Sequence, residues 1–136
     1  MQFKTKILKS SKKNILEAVS KLKSGEIIGL PTETVYGLAG RCDKKNTVDN
    51  IFKIKNRPKI NPLIIHYSNS YDALRDIFVD SRAIELAEKF WPGPLSIVAK
   101  IKSKSINRTA LANLNTVAIR VPSNKICLDV LNKLKI

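Results

Sequence analysis

The chain has 136 residues, 43% of them hydrophobic, and its 25 Lys and Arg stand against 11 Asp and Glu for a formal net charge of +14. That length supports one domain with a real core and excludes two ordinary ones. The charge suits phosphate-rich partners such as nucleotides or RNA, although the excess of Lys, Ile and Asn is equally the composition of an AT-rich coding sequence. One histidine, His66, excludes a two-histidine metal site, and Cys42 and Cys127 lie too far apart, without a CxxC pair, to indicate a zinc site or a disulfide framework. Without a signal-peptide run or 18 contiguous apolar residues, a soluble, unexported protein in the reduced cytoplasm is expected.

In chain order, Phe3 to Leu8 alternates weakly and reads as a first strand. Ser10 and Ser11 can cap a helix whose Ile15, Ala18, Val19 and Leu22 recur at i, i+3, i+4 and i+7, and Gly25 ends it. Glu26 to Leu30 reads as a short buried strand stopped by Pro31. Thr34 to Ala39 reads as extended after a turn, with the hydroxyls of Thr32, Thr34 and Tyr36 on one side. Val48, Ile51 and Phe52 return to helical spacing between Asn46 and about Asn56, and Pro62 to Tyr67 is a compact apolar strand. Two short helices, Ser70 to Ile77 and Ser81 to Phe90, the second with Ser81 as N-cap, lead to a Trp-Pro-Gly-Pro break at 91–94. Leu95 to Ile101 is a strand, 102–108 a polar loop, and Thr116 to Val121 a strand closed by Pro122. A last helix from about Asn124 carries Ile126, Cys127, Val130, Leu131 and Leu134 on one side. With no strand after it, that stripe is expected to stay partly uncovered. Strands interleaved with helices predict an α/β domain around a twisted, mostly mixed sheet with flanking helices.

Three segments can carry chemistry. Continuing the face Val48, Ile51, Phe52 by one step reaches Lys55, which places this ammonium on the apolar side of its helix; a lysine that merely snorkels at a helix C-terminus is the competing reading. Arg57 precedes Pro58, so the helix should stop there and turn the guanidinium out. Together the two form a cationic cluster suited to phosphate, with Asn61 and His66 at the two ends of the following strand; a turn asparagine and a core histidine are the alternatives. In 31–40, Pro-Thr-Glu-Thr-Val-Tyr-Gly-Leu-Ala-Gly, Gly37 and Gly40 admit a close neighbour. No Walker A loop occurs. In 116–122, Thr116, Ala118 and Arg120 share one parity and Val117, Ile119 and Val121 the other, so Arg120 faces water or a cleft.

Taken together, Pro-Thr-Glu-Thr-Val-Tyr-Gly-Leu, Lys-Asn-Arg-Pro followed by Asn-Pro-Leu-Ile-Ile-His, Trp-Pro-Gly-Pro-Leu and Val-Ala-Ile-Arg-Val-Pro resemble the YrdC family in order and spacing. The resemblance is strongest over residues 20–125 of a YrdC-like domain spanning 1–136. It implies an L-threonylcarbamoyladenylate synthase, a nucleotidyltransferase making threonylcarbamoyl-AMP and diphosphate from L-threonine, bicarbonate and ATP for N6-threonylcarbamoyladenosine in tRNA. It further implies that Thr34, His66 and Arg120 contact threonine and that Arg57, Asn61 and Thr116 contact ATP. Lys55 and Arg57 would act catalytically on the phosphates, with Mg2+ accompanying ATP. Downstream tRNA threonylcarbamoyl-transfer proteins would receive the product. Family members continue to a Ser-Ala-Asn segment absent here, so the C-terminal part of the domain is expected to be missing and the chain to be a partial or inactive form. The alternative is a double-stranded RNA- or tRNA-binding or regulatory module without synthase activity.

Overall fold

A computed structural model of the protein describes residues 4–134. The elements are α1 (Lys12–Lys23), β1 (Ile28–Pro31), β2 (Tyr36–Ala39), α2 (Lys45–Ile54), β3 (Ile64–His66), α3 (Ser70–Arg75), α4 (Ser81–Phe90), β4 (Ile97–Lys100), a 3-10 turn (Arg108–Leu111), β5 (Thr116–Arg120) and α5 (Lys125–Leu134). The α/β reading holds, with its strands in two sheets. β1 and β2 form an antiparallel hairpin, and a three-stranded mixed sheet has the order β3-β5-β4, with β3 parallel and β4 antiparallel to β5.

Local chemistry explains the boundaries. Ser11 accepts from the Asn14 amide to open α1, and the Gly25 amide donates to Leu22 O and Glu26 to Lys21 O to close it, with Gly25 at φ 88°. α4 begins at Ser81 as expected, but its cap is Asp80, whose Oδ1 accepts from the Ala83 amide at 2.9 Å. A carboxylate one residue upstream is the better acceptor for an unpaired helix N–H. Residues 4–11 form no strand, because no other segment pairs with them; Ile7 is 97% exposed. Phe3 lies outside the described residues.

Two apolar clusters hold the elements. The larger packs Ile65, Ile97, Val117, Ile119 and Val121 of the mixed sheet against Val48 and Phe52 of α2, Ala73 of α3, Ala87 of α4 and Leu111. The smaller joins Ile15, Val19 and Leu22 of α1, Leu30 of β1, and Cys127 and Val130 of α5. The stripe on α5 is covered in part, as expected: Cys127 and Val130 are buried against α1 and β1, while Ile126, Leu131 and Leu134 are half-buried. Open apolar surface lies also on the mixed sheet. Ile64 is 44% and Val98 68% exposed, while Ile65 and Ile97 beside them are buried.

The Trp-Pro-Gly-Pro segment braces the end of β5. Trp91 Nε1 donates to Leu95 O at 2.7 Å, and the Gly93 amide donates to Val121 O at 2.8 Å. A Cβ at position 93 would collide with the backbone oxygen of Phe90, so glycine is required there.

Candidate functional site

Cross-strand partners share a sheet face. His66 pairs with Arg120 and Ile64 with Ala118 across β3 and β5, while Val98 pairs with Ala118 and Lys100 with Thr116 across β4 and β5. These residues form one face, opposite the core face of Ile65, Ile97, Val117 and Ile119. Of the residues singled out from sequence, Thr116, His66 and Arg120 thus line a common surface. A four-residue loop, 32–35, reaches its His66–Arg120 end.

Arg120 faces the cleft side of β5 but is buried, at 7% exposure, rather than open to water, because the loop covers it. Its Nε donates to Glu33 Oε1 at 3.1 Å, and Nη2 donates to the same oxygen. Glu33 Oε2 accepts from the amides of Ser123, at 3.1 Å, and Asn124, at 3.3 Å, immediately before α5. Burial pushes the Glu33 carboxyl up, but the Arg120 hydrogen bond and the backbone amides outweigh it and hold the group below its ordinary value. His66 Nε2 is buried without a partner among the described residues. Burial first, and then the nearby Arg120 charge, lower the His66 pKa, so the imidazole is neutral near pH 7.

Thr34 does not continue a strand. Thr32 Oγ1 donates to Val35 O at 2.6 Å and accepts from the amides of Thr34 and Val35, which folds 32–35 into a turn. The predicted alternation of three hydroxyls therefore fails, and Thr34 is exposed beside the anchored Glu33.

The other end is built on the stop of α2. The Asn56 amide donates to Lys53 O at 3.2 Å and the Arg57 amide to Phe52 O at 2.9 Å, with Asn56 at φ 48°. This is a Schellman stop with asparagine in the left-handed position. At Lys55 the backbone is still helical, its amide donating to Ile51 O, yet the side chain is exposed, so the lysine snorkels at the helix C-terminus and does not lie on the apolar side. The same stop turns Arg57 toward the 61–62 segment. Its Nε donates to Asn61 O at 2.9 Å, and its Nη2 donates to Asn61 Oδ1 at 3.0 Å and Pro62 O at 2.6 Å. Asn56→Ala is expected to lose about 1 kcal/mol, since alanine tolerates the left-handed conformation less well, and Asn56→Gly almost nothing; urea denaturation of both variants checks this.

Because β3 and β5 run parallel, Asn61 and Pro62, just before β3, lie at the end of the sheet where Thr116 opens β5. From Thr116 to Arg120 is four strand steps, roughly 13 Å. The face thus has Thr116 at one end, His66 and Arg120 with the Thr34 loop at the other, and Ile64, Ala118 and Val98 between, while Arg57 and Asn61 stand before β3 near the Thr116 end. The sequence reading missed Glu33. Its signal was a lone carboxylate in 31–40, a segment packed closely enough that such a charge needs a cation.

Comparison with known proteins bears on the family and the fold. Residues 20–136 match the Sua5_yciO_yrdC family model, described as telomere recombination. The threonylcarbamoyl-AMP synthase of Pyrococcus abyssi is 40% identical over 112 residues, 81% of this chain and 32% of that protein. The Bacillus subtilis enzyme of the same name is 33% identical over 128 residues, 93% of this chain and 37% of that one. The chain thus spans about a third of the length of these two relatives. In structure, P. abyssi Sua5 complexed with L-threonine superposes with a TM-score of 0.83 at 36% identity, covering 93% of this chain and 37% of that one. Escherichia coli YciO superposes at 0.80 with 28% identity, covering 91% and 60%. The motifs, the sheet that carries them and these relatives coincide over the same residues, and the chain belongs to the Sua5_yciO_yrdC family.

Proposed function

We propose that this chain carries the substrate-binding face of a threonylcarbamoyl-AMP synthase, a nucleotidyltransferase acting on L-threonine, bicarbonate and ATP. The observation that carries the reading is the open sheet face that runs from Thr116 to the Arg120 guanidinium, roughly 13 Å along β5, with Arg57 tied to Asn61 and Pro62 near its Thr116 end. That span suits an amino acid and a nucleotide meeting over Ile64 and Ala118. The relatives' name and the threonine-bound P. abyssi structure support it.

In this reading Arg120 pairs with the threonine carboxylate, while Thr34 and neutral His66 supply neutral hydrogen-bonding groups beside it. Arg57 presents its forked donors, and exposed Lys55 a mobile point charge, to the triphosphate. The threonine amine and bicarbonate give a carbamate with loss of water, and a carbamate oxygen then bonds to the α-phosphorus. The bond to the β-phosphate oxygen breaks, and diphosphate leaves with its electron pair. Alignment and charge neutralisation supply the catalysis, with no general-base dyad required. Mg2+ would enter on the ATP phosphates and add to that neutralisation. No group of three His, Cys, Asp or Glu placed to hold a metal occurs among the described residues, so phosphate and water oxygens are its natural ligands. The product would serve tRNA modification through threonylcarbamoyl-transfer proteins. A cytoplasmic setting suits this chemistry and the free thiols of Cys42 and Cys127. No helix among the described residues is long and apolar enough to cross a membrane.

Incubation with ATP, L-threonine and bicarbonate should release diphosphate only when all three are present. Release independent of threonine, or none from either this chain or one extended to its relatives' length, refutes the reading. A purely RNA-binding module would instead bind RNA with steep salt dependence and ignore threonine. Arg57→Ala should weaken ATP binding by about 1.5–3 kcal/mol, the range for hydrogen bonds to charged groups. Unchanged nucleotide affinity by calorimetry removes Arg57 from the nucleotide site.

A further inference from the structure

We propose that Glu33 is a positioning residue, which clamps the Arg120 guanidinium to the start of α5 so that a ligand carboxylate meets an arginine already oriented. The inference rests on the reading of Arg120 as the partner of an amino-acid carboxylate and adds to it the element that fixes Arg120 in place. Glu33 and Arg120 stand 87 residues apart, yet Glu33 Oε1 takes both Nε and Nη2 of Arg120, and Oε2 takes the amides of Ser123 and Asn124. The two N–H groups of Nη1 and the second N–H of Nη2 are outside this set and remain as donors for a ligand.

Such a buried carboxylate could act in either of two ways. It could be a competitor that the ligand carboxylate displaces, or a brace that stays. The geometry favours the brace. Displacement would break four hydrogen bonds at once and strand two backbone amides, and the side chain is only 17% exposed. The loop itself is tied by Thr32 to Val35, so Glu33 has little freedom to swing away. The same clamp sets Thr34, one residue on, beside the ligand end. Glu33 thereby couples three parts of the site: the 32–35 loop, β5 and the N-terminus of α5.

The test compares L-threonine and ATP binding by calorimetry in the wild-type chain and in Glu33→Gln, with thermal denaturation confirming that both are folded. Gln keeps the shape and an acceptor for α5 but turns an amide toward Arg120. Threonine affinity should fall at least tenfold while ATP affinity changes less than about twofold, because Arg57 and Asn61 stand near the other end of the face. A merely structural loss would weaken both ligands together and overturns the proposal. Unchanged or tighter threonine binding also overturns it, and tighter binding identifies Glu33 as a competitor.

A measurement on the wild type alone covers the case in which Glu33→Gln does not fold. The Arg120 Nε–H resonance, assigned by its loss in Arg120→Lys, should stay protected from solvent exchange as threonine is added. Loss of protection on adding threonine shows displacement and overturns the brace. Absence of threonine binding by the wild type overturns the functional reading itself and this inference with it, an outcome distinct from a wild type that binds and a Glu33→Gln that binds equally well.

Discussion

Arg120→Ala should destabilise the protein by about 3–5 kcal/mol at pH 7, the cost of leaving one member of a buried ion pair unpartnered. The side chains of Arg120 and Glu33 are 9% and 17% exposed, so the discount that applies to surface pairs does not apply here. The loss should also depend on pH with a defined sign. In the wild type, Arg120 and the backbone amides overcome burial and hold Glu33 below its ordinary 4.5. The stability this contributes is therefore fully present above that value and is lost as pH falls through the lower folded pKa. In Arg120→Ala burial is opposed only by the amides of Ser123 and Asn124, so the folded pKa of Glu33 rises. Protonation in mild acid then relieves the variant while it weakens the wild type. The difference in unfolding free energy should narrow between pH 7 and pH 4, which urea titrations at the two values read directly. A difference below about 1 kcal/mol at pH 7, or one that does not change with pH, would show that the pair is effectively solvated. Threonine binding should be lost in the same variant, since among the described residues Arg120 is the cation paired into that end of the sheet.

Ile119→Ala should cost about 4 kcal/mol, within the range for truncating a buried isoleucine. Ile119 is 0% exposed at the middle of the central strand, with Ile65 on one side and Ile97 on the other. Neither neighbour can collapse into the void without breaking ladder hydrogen bonds, so the cavity term is retained in full. Against a typical total stability of about 5–15 kcal/mol, such a change leaves a marginal fold. Val98→Ala, one strand away on the opposite face, should change stability by less than about 0.5 kcal/mol, because Val98 is 68% exposed. The two variants together measure which side of the sheet is core and which is the open face assigned to ligands. Comparable losses at both positions would mean that the Val98 face is covered in solution, and the proposed site would then be closed.

Both expectations depend on parity in β5, and that parity was legible in the residues themselves. Thr116, Ala118 and Arg120 alternate with Val117, Ile119 and Val121, and the second set is buried to 2% or less. The boundaries of α4 and the glycine stop of α1 were equally readable, since a helix is specified by side chains three or four residues apart and by caps that touch their own first or last turn. The family motifs were also local, because each is a short run in which backbone restrictions and polar groups act together.

Long-range placement was a different matter. Lys55 continues an apolar face on paper, and its backbone stays helical, but at the last position before the left-handed turn at Asn56 its side chain is exposed. Thr34 alternates with its neighbours on paper, but the Thr32 hydroxyl folds the segment into a turn. On α5 it was the pairing with α1 and β1 that chose Cys127 and Val130 as the buried members of the stripe.

The sequence by itself determined the five helices and most of the strands, which face of β5 is apolar, and which motifs hold the cations. Only the tertiary structure decided that Glu33 neutralises Arg120 from 87 residues away, that Arg57 is tied to Asn61 and Pro62, and that His66, Arg120 and Thr116 share one sheet face. The reason is physical: periodicity and capping are settled by neighbours within a few residues, whereas a buried charge finds its partner only once strands distant in the chain have paired.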